Sequence, residues 1–244
     1  VPEQHDSGHR PATRILITGG GRGLGRAIAT ALAARGRRIA LLGRQQADLE
    51  RTAGELEALG VAPLACVGDL TSAADRATLA ATIDTAWGGL DWLVNNAGLG
   101  FGKPFLEHTP DELDRVIAVN LTGLMQLTHA LLPLLLRSAA PHIVNIASDI
   151  GRRPIGRLVP YVAAKHGVVG FSQALRLELR PRGVKVGVIL PGRIDTGFND
   201  RTEGSRPGPE ALRPADVAAA VLTMLSQPPR STSSPSTPWA RTPE

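Results

Sequence analysis

Six short apolar runs punctuate the chain: RILIT (14–18), RRIALLG (37–43), PLACV (63–67), DWLVNN (91–96), HIVNIA (142–147) and KVGVIL (185–190). They are apolar almost throughout instead of alternating, which is the pattern of parallel strands covered on both faces. Between them, hydrophobic residues recur at three- and four-residue intervals. In LGRAIATALAARG, Leu24, Ala27, Ile28, Ala31 and Leu32 share one helical face, and Gly36 is placed to stop the helix. DLERTAGELEALG (48–60) predicts a second amphipathic helix. Thr109-Pro110-Asp111-Glu112 is a capping box with proline at the first helical position. PADVAAAVLTML (214–225) predicts a last helix. Strand and helix alternate along the chain, which predicts an α/β fold with a doubly wound parallel sheet.

The two ends break this pattern. Residues 1–13 form a polar extension, residues 14–226 carry the alternation as one domain, and residues 227–244 (QPPRSTSSPSTPWARTPE) are rich in Pro, Ser and Thr without periodicity. That tail is expected to be mostly disordered, and its prolines argue against a seventh strand there. With 43% hydrophobic residues in 244, the chain can bury one large core.

Charge and cysteine usage narrow the classes. The net charge is +5, yet lysine occurs only at positions 103, 165 and 185 among 27 basic residues. The arginines are scattered and aromatics make up 3%, so no row of stacking platforms lies along a basic groove, and nucleic acid is not an expected partner. Cys66, the single cysteine, excludes a disulfide framework and reads as a buried small hydrophobe. No Cys/His cluster suggests a metal. The longest greasy run, ALLPLLL (130–136), falls far short of the roughly 20 residues of a membrane span. The polar opening has no signal-peptide hydrophobic region. A soluble cytoplasmic protein is expected.

The first candidate for chemistry is TGGGRGLG (18–25), between the first strand and the first helix. Glycines at 19, 23 and 25 allow a sharp turn and close approach to a pyrophosphate, which the helix N-terminus would hold through its amides and dipole. This Rossmann-like layout is shared by methyltransferases, so the motif alone leaves the cofactor open. At the end of the second strand an NAD site would carry an acid for the ribose 2′-hydroxyl. Here Gly43 is followed by Arg44, whose guanidinium suits a 2′-phosphate, and Arg22 inside the glycine loop could reach the same group. NADP(H) is therefore the expected cofactor.

The second candidate is VPYVAAKHGV (159–168), which holds the only tyrosine in the chain. Tyr161 and Lys165 lie four apart on a predicted helix, hence on one face. A phenol ordinarily titrates near 10, and a neighbouring cation lowers that value. His166 is one position, about 100°, further round and should face elsewhere. His129 and His142 read as structural.

These motifs, in this order, resemble the classical short-chain dehydrogenase/reductase family over roughly residues 12–226. Thr18-Gly19-x-x-x-Gly23-x-Gly25 matches its cofactor loop, GDLT with Asp69 its adenine-contacting turn, and NNAG (95–98) the stretch after its fourth strand. Asn120 in VNLTG, Ser148 in NIASDIG and Tyr161-x-x-x-Lys165 match its catalytic set, with thirteen positions from Ser148 to Tyr161. Pro191-Gly192, with Thr196 beyond, matches the segment beside the nicotinamide. The resemblance implies that Tyr161 is the general acid, Ser148 the stabiliser of the substrate oxygen, and Asn120 the anchor of a water relay. Lys165 would tune Tyr161 and hold the nicotinamide ribose. It also implies nucleotide contacts from Gly21, Arg22, Leu24, Arg44, Leu70, Asn96, Ala97, Gly98, Ile194 and Thr196.

The implied activity is hydride transfer between NADP(H) and a small-molecule carbonyl or secondary alcohol. A 3-oxoacyl-thioester reductase acting with an acidic carrier protein is the alternative; a nucleotide-binding regulator without turnover is a third reading. The resemblance implies a homo-oligomer pairing through the helices that hold Asn120 and Tyr161; the expected lack of a seventh strand favours a dimer over the family's common tetramer. Specificity should lie in LGFGKPF (99–105), DIGRRPIG (149–156) and residues 193–213. Arg152 and Arg153 fit either a solvated surface or an acidic substrate.

Overall fold

The six apolar runs form strands β1 (Thr13–Thr18), β2 (Arg37–Gly43), β3 (Leu64–Val67), β4 (Trp92–Asn95), β5 (His142–Ile146) and β6 (Lys185–Ile189) in a computed structural model that describes residues 12–34, 36–195 and 211–227. All pair in parallel in one sheet of order β3-β2-β1-β4-β5-β6. The helices are α1 (Gly23–Leu32), α2 (Gln46–Ala58), α3 (Ala73–Trp87), α4 (Pro110–Ile117), α5 (Gly123–Leu135), α6 (Val159–Leu179) and α7 (Pro214–Leu225). This is the Rossmann-like doubly wound sheet expected from the pattern.

The reason for the unbroken apolar runs is visible in the two cores. Strand side chains alternate between faces. Ile15, Ile17, Ile39 and Leu41 pack with residues of α1, α2 and α7 on one face. Leu16, Ala40, Leu42 and Leu93 pack with residues of α3, α5 and α6 on the other. Each large aliphatic side chain so buried contributes roughly 1.5–3 kcal/mol, so neither set can be polar.

Helix signals locate most boundaries. The Thr109 hydroxyl accepts from the Glu112 amide at 3.2 Å, and the Glu112 carboxylate accepts from the Thr109 amide at 3.0 Å, completing the capping box. Gly36 is a correction. Helix α1 ends at Leu32, where Ala33 turns extended, and Gly36 (φ +78°) instead turns the chain into β2. Its carbonyl already accepts from the Thr13 amide at 3.0 Å, so it belongs to the start of the β1/β2 pairing.

Helices α4 and α5 are continuous through a π turn, Ala118–Thr122. The combined Pro110–Leu135 helix is long and apolar enough, by length and composition alone, to cross a membrane. Its Leu124, Leu127, Leu131, Leu134 and Leu135 are instead buried in the fold. The polar opening up to residue 11, most of the 193–213 segment and the tail beyond 227 lie outside the described residues. So do Thr196 and the place where a seventh strand would be.

Candidate active site

At the centre of the sheet, β1 lies between β2 and β4, and the connections leave it in opposite directions. A crevice opens there at the carboxyl ends of the strands. The glycine loop sits at this point. Gly19 (φ +65°) and Gly23 (φ +52°) take left-handed conformations that side chains disfavour. A Cβ on Gly25 would run into the Gly19 carbonyl and the Asn96 amide. Helix α1 begins with no side-chain cap on Arg22 and no acid in its first turn, which leaves its first amides and dipole to an anion. The cradle therefore fits a dinucleotide pyrophosphate.

Residues expected to meet the nucleotide also frame this cradle. The Thr18 hydroxyl is buried and accepts from the Asn96 and Ala97 amides, each at 2.9 Å. The Asn96 side chain donates to the Thr18 carbonyl at 2.9 Å, tying the ends of β1 and β4 together. Leu70 is likewise a core side chain, set against Gly123. These residues shape the crevice.

Arg22 and Arg44 are exposed at the rim, and Leu24 is half-buried behind it. Asp69 ends the neighbouring connection. Burial works to raise its carboxyl, but hydrogen bonds from the Thr71 amide and hydroxyl, with the charges of Arg44 and Arg115, hold it below the usual range. Arg44 and Asp69 thus lie in one electrostatic neighbourhood at the ends of β2 and β3.

The catalytic candidates converge from three segments. Asn120, fully buried in the π turn, donates to the Leu99 carbonyl at 2.7 Å and the Val116 carbonyl at 2.9 Å, and accepts from the Leu99 amide at 3.3 Å. The wide turn is what frees the Val116 carbonyl for the side chain. Gly98 is a hub: a Cβ there would lie 2.7 Å from Asn120 Oδ1 and 3.8 Å from Lys165 Nζ. Lys165 is 3% exposed and donates to the Ile146 carbonyl at 2.9 Å, with Nζ 5.3 Å from the centre of the Tyr161 ring. Ser148 follows β5, and its hydroxyl donates to Asp149 Oδ1 at 3.0 Å and lies 3.5 Å from the Pro191 carbonyl. Pro191 is buried beside it, Gly192 is half-buried, and Ile194 pairs with Leu212 in a single bridge.

The electrostatics differ from the expectation in one respect. Burial, with the charge of Asp149, pushes the Tyr161 phenol up instead of down. Burial also lowers Lys165 to about 8, so its ammonium is weakly held and does not outweigh desolvation of the phenol. His166 is exposed and bonded to the Val162 carbonyl at 2.9 Å, away from the site as its helical position implies. Asp149 escaped the sequence reading. The available signal was a carboxylate directly following the candidate serine.

A doubly wound sheet with a glycine cradle at its switch point is a Rossmann-like nucleotide-binding architecture. Residues 13–206 match the family model for short chain dehydrogenases, and the chain belongs to that family of oxidoreductases. An uncharacterized oxidoreductase of Staphylococcus aureus (strain USA300) is 35% identical over 216 residues, covering 87% of this chain and 90% of the relative. An alcohol dehydrogenase from the archaeon Thermococcus sibiricus, complexed with 5-hydroxy-NADP, superposes with a TM-score of 0.81 at 32% identity, covering 89% of this chain and 92% of that one. A 3-ketoacyl-(acyl-carrier-protein) reductase from Brucella melitensis, complexed with NADH, gives a TM-score of 0.79 at 32% identity, covering 88% and 91%.

Proposed function

We propose that the protein is an NADP(H)-dependent reductase of small carbonyl compounds, or in reverse a dehydrogenase of secondary alcohols. The observation that carries this reading is the buried ammonium of Lys165 beneath the Tyr161 ring, with Asn120 brought to the same glycine, at the mouth of the cradle. A buried lysine is costly, and sites that hold shifted groups in a cleft are sites of chemistry. When bound, the nucleotide supplies or takes the hydride.

The residues divide the rest of the work. Tyr161 gives its proton to the carbonyl oxygen as general acid, and its raised phenol keeps that proton available at neutral pH. The Ser148 hydroxyl donates to the same oxygen and stabilises its developing charge. Lys165 restores the proton and would hold the nicotinamide ribose. Asn120 fixes the loop after β4 and anchors the relay. The loop 18–25 would cradle the pyrophosphate, Asp69 the adenine, and Arg44 with Arg22 a 2′-phosphate. Asn96, Ala97 and Gly98 would wall the nucleotide on the β4 side; Pro191, Gly192 and Ile194 would wall it on the β6 side. Exposed Arg152 and Arg153 favour a second reading, an acyl-thioester substrate on an acidic carrier, which the Brucella neighbour also suggests.

Exposed Met125 on α5 and Leu177 on α6 support a homo-oligomer through those helices, and the cytoplasm is the compartment proposed for it. Oxidation of NADPH and NADH against a panel of ketones, aldehydes and a 3-oxoacyl thioester tests the whole reading. Turnover with free ketones and NADPH is expected. Nucleotide binding without any turnover would contradict it.

A further inference from the structure

We infer that Asp149 is a positioning residue of this site, holding the Ser148 hydroxyl and placing its carboxylate beside the helix that carries Tyr161. The inference rests on the reductase reading for its catalytic meaning. Its geometry stands independently.

Asp149 is pinned from several directions. Its amide donates to the Pro191 carbonyl at 2.9 Å. Its Oδ1 accepts from the Ser148 hydroxyl at 3.0 Å and from the Ile150 amide at 2.8 Å. Its carbonyl accepts from the amides of Arg152 and Arg153. The short turn Asp149–Gly151 is pressed onto α6, where a Cβ on Gly151 would lie 2.9 Å from the Lys165 carbonyl. The turn that carries Asp149 is therefore held against α6, on which Tyr161 lies one helical turn before Lys165. Its other oxygen looks toward Gly192, where a Cβ would be 3.9 Å away.

Two consequences follow from that placement. A serine whose proton is given to a carboxylate offers lone pairs, not a donor, to a substrate oxygen. Binding a carbonyl thus requires the Ser148 proton to turn from Asp149 to the substrate, so the pair distinguishes alcohol from carbonyl. The fixed negative charge also disfavours the phenolate of Tyr161. Other charged groups on the surrounding segments are Lys165 on α6, Arg152 and Arg153 beyond Asp149, Lys103 paired with Glu112 after β4, and Arg193 and Asp195 after β6. Burial is the larger cause of the raised phenol, and the charge of Asp149 adds to it.

Because Tyr161 is the only tyrosine in the chain, tyrosinate absorbance near 295 nm reports this one group without any assay of turnover. The test titrates the NADP+-saturated wild type, Asp149→Asn, Asp149→Glu and the surface control Arg38→Gln, with circular dichroism marking the folded range. Asp149→Asn keeps an acceptor for Ser148 and removes the charge. It should bring the tyrosinate signal down by about one pH unit or more. Asp149→Glu and Arg38→Gln should follow the wild type. If Asp149→Asn does not fold, Asp149→Ser takes its place.

In the oxidation direction the alkaline limb of kcat should move down with the titration. In reduction, activity should begin to fall at a correspondingly lower pH. A tyrosinate signal unmoved in the charge-free variants, or one that coincides with unfolding in them as in the wild type, overturns the inference and leaves the reductase reading standing. A moved signal with no turnover on any carbonyl leaves the hold of Asp149 on Tyr161 intact and overturns the reductase reading.

Discussion

Lys165 carries the sharpest conflict between stability and function. Its ammonium is 3% exposed, has the Ile146 carbonyl as hydrogen-bond acceptor, and titrates near 8 in place of its ordinary 10.5. A lowered lysine means that the folded state binds its proton less tightly than the unfolded chain does. Stability therefore rises with pH between about 8 and 10.5, and the charged form destabilises the fold at neutral pH. Lys165→Met should stabilise the nucleotide-free protein by about 1–2 kcal/mol, after the loss of the bond to Ile146, while abolishing turnover. Urea unfolding at pH 7 checks this, and a destabilised Lys165→Met would show that the lysine is a net structural asset. Arg44 is the residue-scale determinant of cofactor choice. Arg44→Ala should weaken NADPH by about 1.5–3 kcal/mol, roughly tenfold to hundredfold, and NADH much less. Equal kinetic efficiency of the wild type with both cofactors would refute the assignment.

At the scale of elements, the sequence was legible where periodicity is enforced by burial on both sides. All six strands and the last helix lie where their apolar runs place them; the central strands, covered on two faces, have no freedom to be polar, while the edge strand β3 leaves Ala65 and Val67 exposed. The candidate site was legible where a residue type is scarce or chemically costly: one tyrosine, one buried lysine, glycines where a Cβ would clash. It was less legible where a side chain works through its neighbours. Thr18 and Asn96 clamp β1 to β4, Asp149 holds Ser148, and the π turn at Asn120 has no spacing of its own in the sequence. Asn95 belongs to the same class. It opposes Asn145 in the β4/β5 register and donates to it at 2.8 Å, and Asn145 donates in turn to Ser172 of α6 at 2.9 Å. A buried amide chain of this kind specifies how β4, β5 and α6 meet beneath the site. At the start of β5, His142 is buried, and burial with the Lys185 charge lowers it to about 4. The unfolded chain takes up that proton first as the pH falls. Stability should be full above about 6.5 and decline toward pH 4 by roughly 3 kcal/mol from this group, a decline that His142→Gln should flatten. Identical pH slopes for wild type and variant would contradict it.

For the whole molecule, the account joins two halves of one sheet. One half, β1 to β3, carries the cradle and the arginines at its rim; the other, β4 to β6, carries Asn120, Ser148, Tyr161 and Lys165 on the connections that follow its strands. The crevice between them is where a dinucleotide and a small substrate would meet. The claim that this meeting is catalytic rests on one proton, that of Tyr161. The most direct measurement is NADPH oxidation over the carbonyl panel by wild type and Tyr161→Phe, with nucleotide affinity followed by fluorescence. The account predicts turnover by the wild type, a loss of about 10²–10⁴-fold or more in Tyr161→Phe, and nucleotide affinity unchanged within a few-fold. A Tyr161→Phe enzyme that kept most of its rate, with chemistry limiting, would contradict it.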